Sequence, residues 1–283
     1  MSGNSNKTAQ TTPFPAPNVD HLVTPLALQL RTSKPVAYDS PDHQFPLGTR
    51  RDNSTNPRFN QKLYSLYAKS LAKEVNLRIL DLGCSGGGFV RRCINDGHLA
   101  VGLEGSDYSR RFSRAEWATI PQFLFTCDVT SEFRLLLNEE PMKFDVVTSW
   151  ELMEHIEEGL LPAVSDNCAR HIKPGGLWIM SVSPNEEVQF GRRLHQTVRP
   201  KQWWIDRLQS LGWTHHDDYV KYFRGQFIRG PKYGAPNSFH LALSRGSEDL
   251  PDIPKNRTTV KLYDTWLNCK CHRLLKLLLL GPQ

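Results

Sequence analysis

The sequence predicts an α/β protein, a doubly wound, seven-stranded, mostly parallel sheet with helices on both faces. Two observations predict it. From about residue 58 to about residue 245, short apolar runs alternate with segments of helical periodicity. Such alternation builds a parallel sheet flanked by helices. The first apolar run then feeds a glycine-rich turn, Gly83-Cys84-Ser85-Gly86-Gly87-Gly88, that opens a helix. Open α/β sheets bind ligands beyond such strand ends. A length of 283 residues accommodates one large domain with additions.

Each element follows in order. Residues 1–20, rich in Ser, Thr, Asn and Pro, predict a disordered tail. Residues 21–57 carry five prolines and little periodicity, and predict an extended arm or lid. The arm's polar stretches are Asp42-His43-Gln44 and Asp52-Asn53-Ser54. Phe59, Leu63, Leu66, Tyr67 and Leu71 recur at 3–4 spacing and predict a helix over Arg58–Val75. Strands are expected at Leu77–Leu82, Leu99–Glu104, Phe123–Asp128, Phe144–Trp150 and Leu177–Val182, the last fed by a Pro174-Gly175-Gly176 turn. Two more are expected at Asp218–Phe223 and Ser238–Ser244. The intervening helices are Phe89–Asp96, closed by Gly97, then Tyr108–Ala118, Glu157–Ile172 and Pro200–Leu211. The core domain therefore spans residues 58–245.

Residues 246–283 form a basic extension. Tyr263, Trp266, Leu267, Leu274, Leu277 and Leu278 fall at helical spacing among Lys261, Lys270, Arg273 and Lys276. This is an amphipathic helix, expected either to pack on its own domain or to touch an anionic membrane. From Lys255 to the end, six basic residues face one acid, Asp264, which places +5 of the net charge of +6 there, leaves the rest of the chain nearly neutral and disfavours nucleic acid as a partner. Apolar residues at 39% and charged residues at 23% exclude wholesale disorder, and six cysteines are too few for a disulfide scaffold. No apolar run is long enough to span a bilayer, and the N-terminus lacks a secretory pattern. The expected location is cytoplasmic, with peripheral membrane contact through the tail as the alternative. Cys269-Lys270-Cys271-His272 has no second ligand pair and is not expected to hold zinc.

The glycine turn departs from a dinucleotide fingerprint, because Ser85 stands where the second glycine would fall. Asp81, two residues before the first glycine, would repel a pyrophosphate and suits a cationic ligand. The pattern Asp81-Leu82-Gly83-Cys84-Ser85-Gly86-Gly87-Gly88 resembles motif I of class I S-adenosylmethionine-dependent methyltransferases (small-molecule, type 11- or 23-like). Glu104 at the end of the second strand, Cys127-Asp128-Val129 after the third, Phe144-Asp145-Val146-Val147 in the fourth and Lys173-Pro174-Gly175-Gly176 before the fifth extend the resemblance in register. It implies S-adenosyl-L-methionine as cofactor, with Glu104 on the ribose hydroxyls and Asp128 near the adenine amino group. The implied cofactor-binding residues are Asp81, Gly83, Ser85, Gly86, Glu104, Asp128, Val129 and Trp150.

The acceptor end is sought after the fourth strand, in Trp150-Glu151-Leu152-Met153-Glu154-His155. A helical turn there would put Glu151, Glu154 and His155 on one face. His155, Glu151 and His195 are the expected catalytic groups, with an imidazole as the proton acceptor. The alternative is a metal set of Glu151, Glu154, His155 and His195; an E-x-x-E-H motif with a later His resembles the small-RNA 3′-terminal 2′-O-methyltransferases, which bind magnesium. The tetrapeptide that amino-methylating DNA enzymes use after this strand is absent, which favours an oxygen acceptor. The expected reaction is O-methylation of a small molecule, glycan or lipid-linked acceptor. Competing readings are a metal-dependent RNA 2′-O-methyltransferase and a non-catalytic cofactor-binding module.

Overall fold

The computed structural model describes residues 27–68, 76–230, 235, 237–246 and 249–255. Seven strands form the central sheet in the order Thr214–His215, Phe239–Ser244, Ile172–Val182, Phe144–Trp150, Arg78–Leu82, Leu99–Glu104, Leu124–Thr126. The five from Ile172–Val182 to Leu124–Thr126 run parallel, and Phe239–Ser244 is antiparallel to its neighbours on both sides. This is the doubly wound, mostly parallel sheet that the sequence predicts. The chain runs outward from Arg78–Leu82 to Leu124–Thr126, then returns to place Phe144–Trp150 on the other side of Arg78–Leu82. That reversal opens a crevice at the carboxyl ends of the two central strands.

The central strands are buried and mostly apolar because both faces are covered. All seven residues of Phe144–Trp150 are buried. Successive side chains point to opposite faces. Ile79, Val146 and Ile179 therefore join Phe59, Leu63 and Leu66 of the helix Pro57–Tyr67. Leu80, Val147, Trp178 and Met180 meet Trp204 and Leu208 of the helix Lys201–Ser210 on the other face. Trp204 is thus core, while Trp203 packs against its edge. Cys84, Cys93, Cys127 and Cys168 are free and buried, as small apolar residues would be.

Several local expectations are corrected. Asp217–Phe223 is a helix, not a strand. Tyr219, Tyr222 and Phe223 are buried at i, i+3 and i+4, and two aspartates sit in the first turn. The neighbouring strand position goes instead to Thr214–His215. The Tyr108–Ala118 helix breaks into Tyr108–Arg111 and a 3₁₀ turn at Ala115–Ala118, since Ser113 and Ala115 adopt left-handed backbone. Pro174-Gly175-Gly176 is a bulge within the longer strand Ile172–Val182 rather than a turn before it. The arm is more ordered than its prolines suggest. Leu28–Thr32 pairs antiparallel with Phe133–Leu137, and Ser40 caps a short helix at Pro41–Gln44 that precedes Leu47–Arg51. The tail over residues 1–20, the end of the Arg58–Val75 helix, the amphipathic extension beyond residue 255 and the Cys269-Cys271-His272 cluster lie outside the described residues. Among the described residues, no helix is long and apolar enough to cross a membrane.

Candidate functional site

The crevice holds a cavity of about 680 Å³. Its walls come from the glycine turn, the ends of three strands, the arm and the segment around His195. Gly83, Ser85, Glu104, Asp128, Val129 and Trp150 line it, as do Glu151, His155 and His195. Gly83 has φ 72, and an added Cβ would meet Leu152 Cδ1 at 3.1 Å, so the turn demands glycine there. Ser85 also adopts a left-handed φ of 47. That conformation aims its backbone N–H at Glu104 Oε2, 2.7 Å away. Ser106 N–H donates to the other carboxylate oxygen at 3.1 Å. Burial lifts the Glu104 pKa to about 6, while these two N–H donors resist the rise. The carboxylate is fixed at the strand end with lone pairs left over for a diol.

Two residues expected to bind cofactor do not line the cavity. Asp81 lies behind the turn, buried, with Thr148 Oγ1 donating to its Oδ1 at 2.6 Å. Burial raises its pKa to about 8, against the Thr148 bond. Gly86 faces the arm: a Cβ there would sit 2.6 Å from Asn53 Oδ1 and 2.7 Å from Arg114 NH1. The arm is therefore seated directly on the glycine turn. Ser85 Oγ donates to the carbonyls of Thr49 and Asp52, and Arg114 donates to those of Arg50 and Asp52. Asp128 lines the cavity, and its Oδ1 accepts from the Thr130 N–H and hydroxyl in a tight turn before the strand Phe133–Leu137. It caps no helix.

The segment after Trp150 differs from the expected helical turn. Glu151 has φ 52, and only Met153–His155 form a 3₁₀ turn. Glu151 accepts a hydrogen bond from Ser238 Oγ at 2.7 Å. The four-residue set of Glu151, Glu154, His155 and His195 is not assembled. Glu154, His155 and His195 are, with one donor atom of each lying within 4.8 Å of the others. The two imidazoles meet edge to face, 4.6 Å between centroids. His155 Nδ1 is ion-paired with Asp42 Oδ2 of the arm at 2.7 Å. Burial pulls the His155 pKa down, but Asp42, Glu154 and Glu187 outweigh it and lift it to about 9. Burial and the nearby His155 lower that of His195. Glu154 is fully buried, which raises its pKa, as does Glu151, against the pull of His155.

Sequence reading placed the arm over the site but missed which of its groups matter. Asp42, Thr49 and Asp52 line the cavity, as do Ser183, Asn185, Glu187, Arg229 and Ser238 from distant loops. The only sequence signal for Asp42 and Asp52 is their place among prolines ahead of the first helix.

The family profile described as "Methyltransferase domain" matches residues 53–229, more than half of the chain. Ubiquinone biosynthesis O-methyltransferase of Paracidovorax citrulli is 32% identical over 115 residues, covering 40% of this chain and 45% of that protein. The protein of the same name from Vibrio cholerae is 31% identical over 99 residues, covering 35% of this chain and 39% of its own length. The chain thus aligns with less than half the length of these relatives. Among solved structures, Burkholderia thailandensis 1,6-didemethyltoxoflavin-N1-methyltransferase superposes with a TM-score of 0.50 at 14% identity, covering 73% of this chain and 84% of that one, which shows a shared fold. The chain belongs to the methyltransferase-domain family.

Proposed function

We propose that the chain methylates an oxygen of a small-molecule acceptor, with S-adenosyl-L-methionine as methyl donor. The observation that carries this reading is a single cavity shared by two sets of groups. Glu104 and Asp128 mark the cofactor half, and His155, His195 and Glu151 face the remaining space. The O-methyltransferase names of the curated relatives support an oxygen acceptor. In this reading Glu104 receives the ribose hydroxyls, and Gly83 and Ser85 pass the backbone close to the methionine end. Val129 and Trp150 supply apolar walls, and Asp128 meets the adenine side. Asp81 and Gly86 act from behind the turn by holding its shape. Residues 58–245 are the catalytic domain and residues 21–57 its lid.

The acceptor oxygen forms the new C–O bond as the C–S bond breaks. The electron pair of that bond returns to sulfur and leaves S-adenosylhomocysteine. The hydroxyl proton passes to the neutral His195 imidazole or a neighbouring carboxylate, while His155, its pKa lifted to about 9, is already protonated and acts through its charge. Most of the acceleration comes from holding oxygen, methyl carbon and sulfur in line. The test is transfer of labelled methyl to a panel of phenols, sugars and amines, using the wild type and the His155→Ala and His195→Ala variants. Label on oxygen that falls at least about tenfold in both variants supports the reading. Label appearing only on amines, or unchanged turnover in both variants, refutes it.

A further inference from the structure

We propose that Glu154, His155 and His195 form a binding site for a borderline divalent transition cation, such as Zn²⁺, Co²⁺ or Mn²⁺, at the acceptor end of the cavity. The proposal rests on the acceptor half being where the preceding reading puts it.

Each donor atom of the three residues has an assigned role. Metal-ligating side chains are oriented by partners on their far atoms, which leaves one lone pair pointing inward. All three residues meet that condition. His155 Nδ1 is engaged by Asp42, so Nε2 is left as its ligand atom. His195 Nδ1 sits 2.5 Å from the Asn185 carbonyl, which fixes the proton there and leaves Nε2 as its ligand atom. Glu154 Oε1 accepts the Ser183 backbone N–H at 2.8 Å. Its Oε2 is buried and has no partner among the described residues. A buried carboxylate oxygen left without a partner is costly, and a cation answers that cost. Glu187 supplies a fourth donor, since its Oε2 lies 3.2 Å from His195 Nε2.

The geometry needs little change. Ligands around one tetrahedral ion stand roughly 3–4 Å apart, given bonds of about 2.0–2.2 Å. The present spread of 4.8 Å closes with a shift of about 1 Å in the side chains. The donor set also chooses the ion. Two imidazoles and carboxylates suit Zn²⁺, Co²⁺ or Mn²⁺, whereas Mg²⁺ prefers an all-oxygen shell. The magnesium expected from the E-x-x-E-H resemblance, and Glu151 as one of its ligands, are both replaced in this proposal. An ion here would lower the pKa of an acceptor hydroxyl bound to it, and with both imidazoles ligated the proton would pass to a cavity carboxylate such as Glu151 in place of His195. It would also couple the arm to the site, because Asp42 orients one ligand from the lid.

The test uses the full chain, stripped with chelator and dialysed, with Co²⁺ and Mn²⁺ as probes. Calorimetry gives stoichiometry, and the Co²⁺ ligand-field spectrum reports nitrogen and oxygen coordination. S-adenosylhomocysteine affinity is measured on every sample. The wild type should bind one equivalent. His195→Ala and Glu154→Gln should abolish that binding, and Asp42→Asn should weaken it about 10- to 100-fold, as loss of an outer partner does. Glu140→Gln, exposed and outside the cavity, should leave it unchanged. Wild type that takes up neither ion, or His195→Ala and Asp42→Asn that bind like wild type, overturns the proposal. If S-adenosylhomocysteine still binds in that case, the metal site alone has failed. If the wild type binds no S-adenosylhomocysteine, the assignment of the cofactor half has failed instead.

Discussion

Glu104→Gln gives a direct test of how the cofactor is held. The substitution keeps the size of the side chain and removes its charge. In the free protein the carboxylate accepts N–H groups from Ser85 and Ser106, one on each oxygen. Glutamine has one acceptor oxygen, so one of those donors loses its partner and the ribose meets at most one acceptor. Losing one charge-assisted hydrogen bond costs about 1.5–3 kcal/mol, or about 10- to 150-fold in affinity. Calorimetry with S-adenosylhomocysteine should read that loss. The wild type carries a second signature. Glu104 titrates at about 6 in the free protein and must be ionised to take two hydroxyl donors. Affinity should therefore fall as pH drops through about 6, by no more than tenfold per pH unit. Asp81, at about 8, is already protonated over that window and adds no step. The effect of Glu104 on folding has the opposite sign. Its raised pKa contributes stability that is present below the unfolded carboxylate value and is lost as pH rises through about 6. Acidification should thus weaken cofactor binding while the Glu104 contribution to the fold improves. Wild-type affinity flat from pH 7.5 to 5, or Glu104→Gln binding like wild type, would refute the reasoning.

The remaining expectations concern the parts around that carboxylate. Thr148→Val removes the donor to buried Asp81 while nearly keeping volume, and should lower stability by about 1–3 kcal/mol in urea titration; an unchanged midpoint argues that the bond contributes nothing. Ser85→Gly relieves a left-handed serine but cuts two ties to the arm, at the Thr49 and Asp52 carbonyls. Stability should move by less than about 1 kcal/mol, while limited proteolysis within residues 40–55 should accelerate; equal cleavage rates count against the arm being pinned there. Among hydroxylated aromatics, carboxylate-bearing acceptors should show kcat/KM lower than neutral ones by about tenfold or more, with the gap narrowing as salt rises. Equal rates for the two would mean that the rim carboxylates do not face the acceptor.

The fold was legible because its signals are local and repeated. Each central strand is a short, mostly apolar run, and Glu104 and Asp128 are marked by strand ends in register with the glycine turn. The misread helix at Asp217–Phe223 shows the limit of such signals. Tyr, Val, Tyr and Phe favour strands by type, but the burial of Tyr219, Tyr222 and Phe223 follows helical spacing. The acceptor end was legible only in part. The left-handed backbone at Glu151 is not written in any residue type at that position, so spacing alone grouped it with Glu154 and His155. Asp42 and Asn185 hold the two imidazoles from elsewhere in the chain. No local pattern announces a partner supplied by a distant loop.

Whole-chain charge points the wrong way about the site. The chain is basic overall at +6, yet its cavity is lined by Asp39, Asp42, Asp52, Glu104, Asp128, Glu151, Glu157, Glu186 and Glu187 against Lys34, Arg229 and the protonated His155, which Asp42 pairs. The other two cations are also engaged within the wall, Lys34 with Asp128 and Arg229 with Asp52. A sulfonium cofactor gains from this field, and so does a divalent ion among Glu154, His155 and His195. In the proposed reading the same carboxylates disfavour an anionic small molecule and favour neutral or cationic hydroxyl compounds. Cofactor attraction and acceptor selection would then come from one feature, an acidic cavity inside a basic chain.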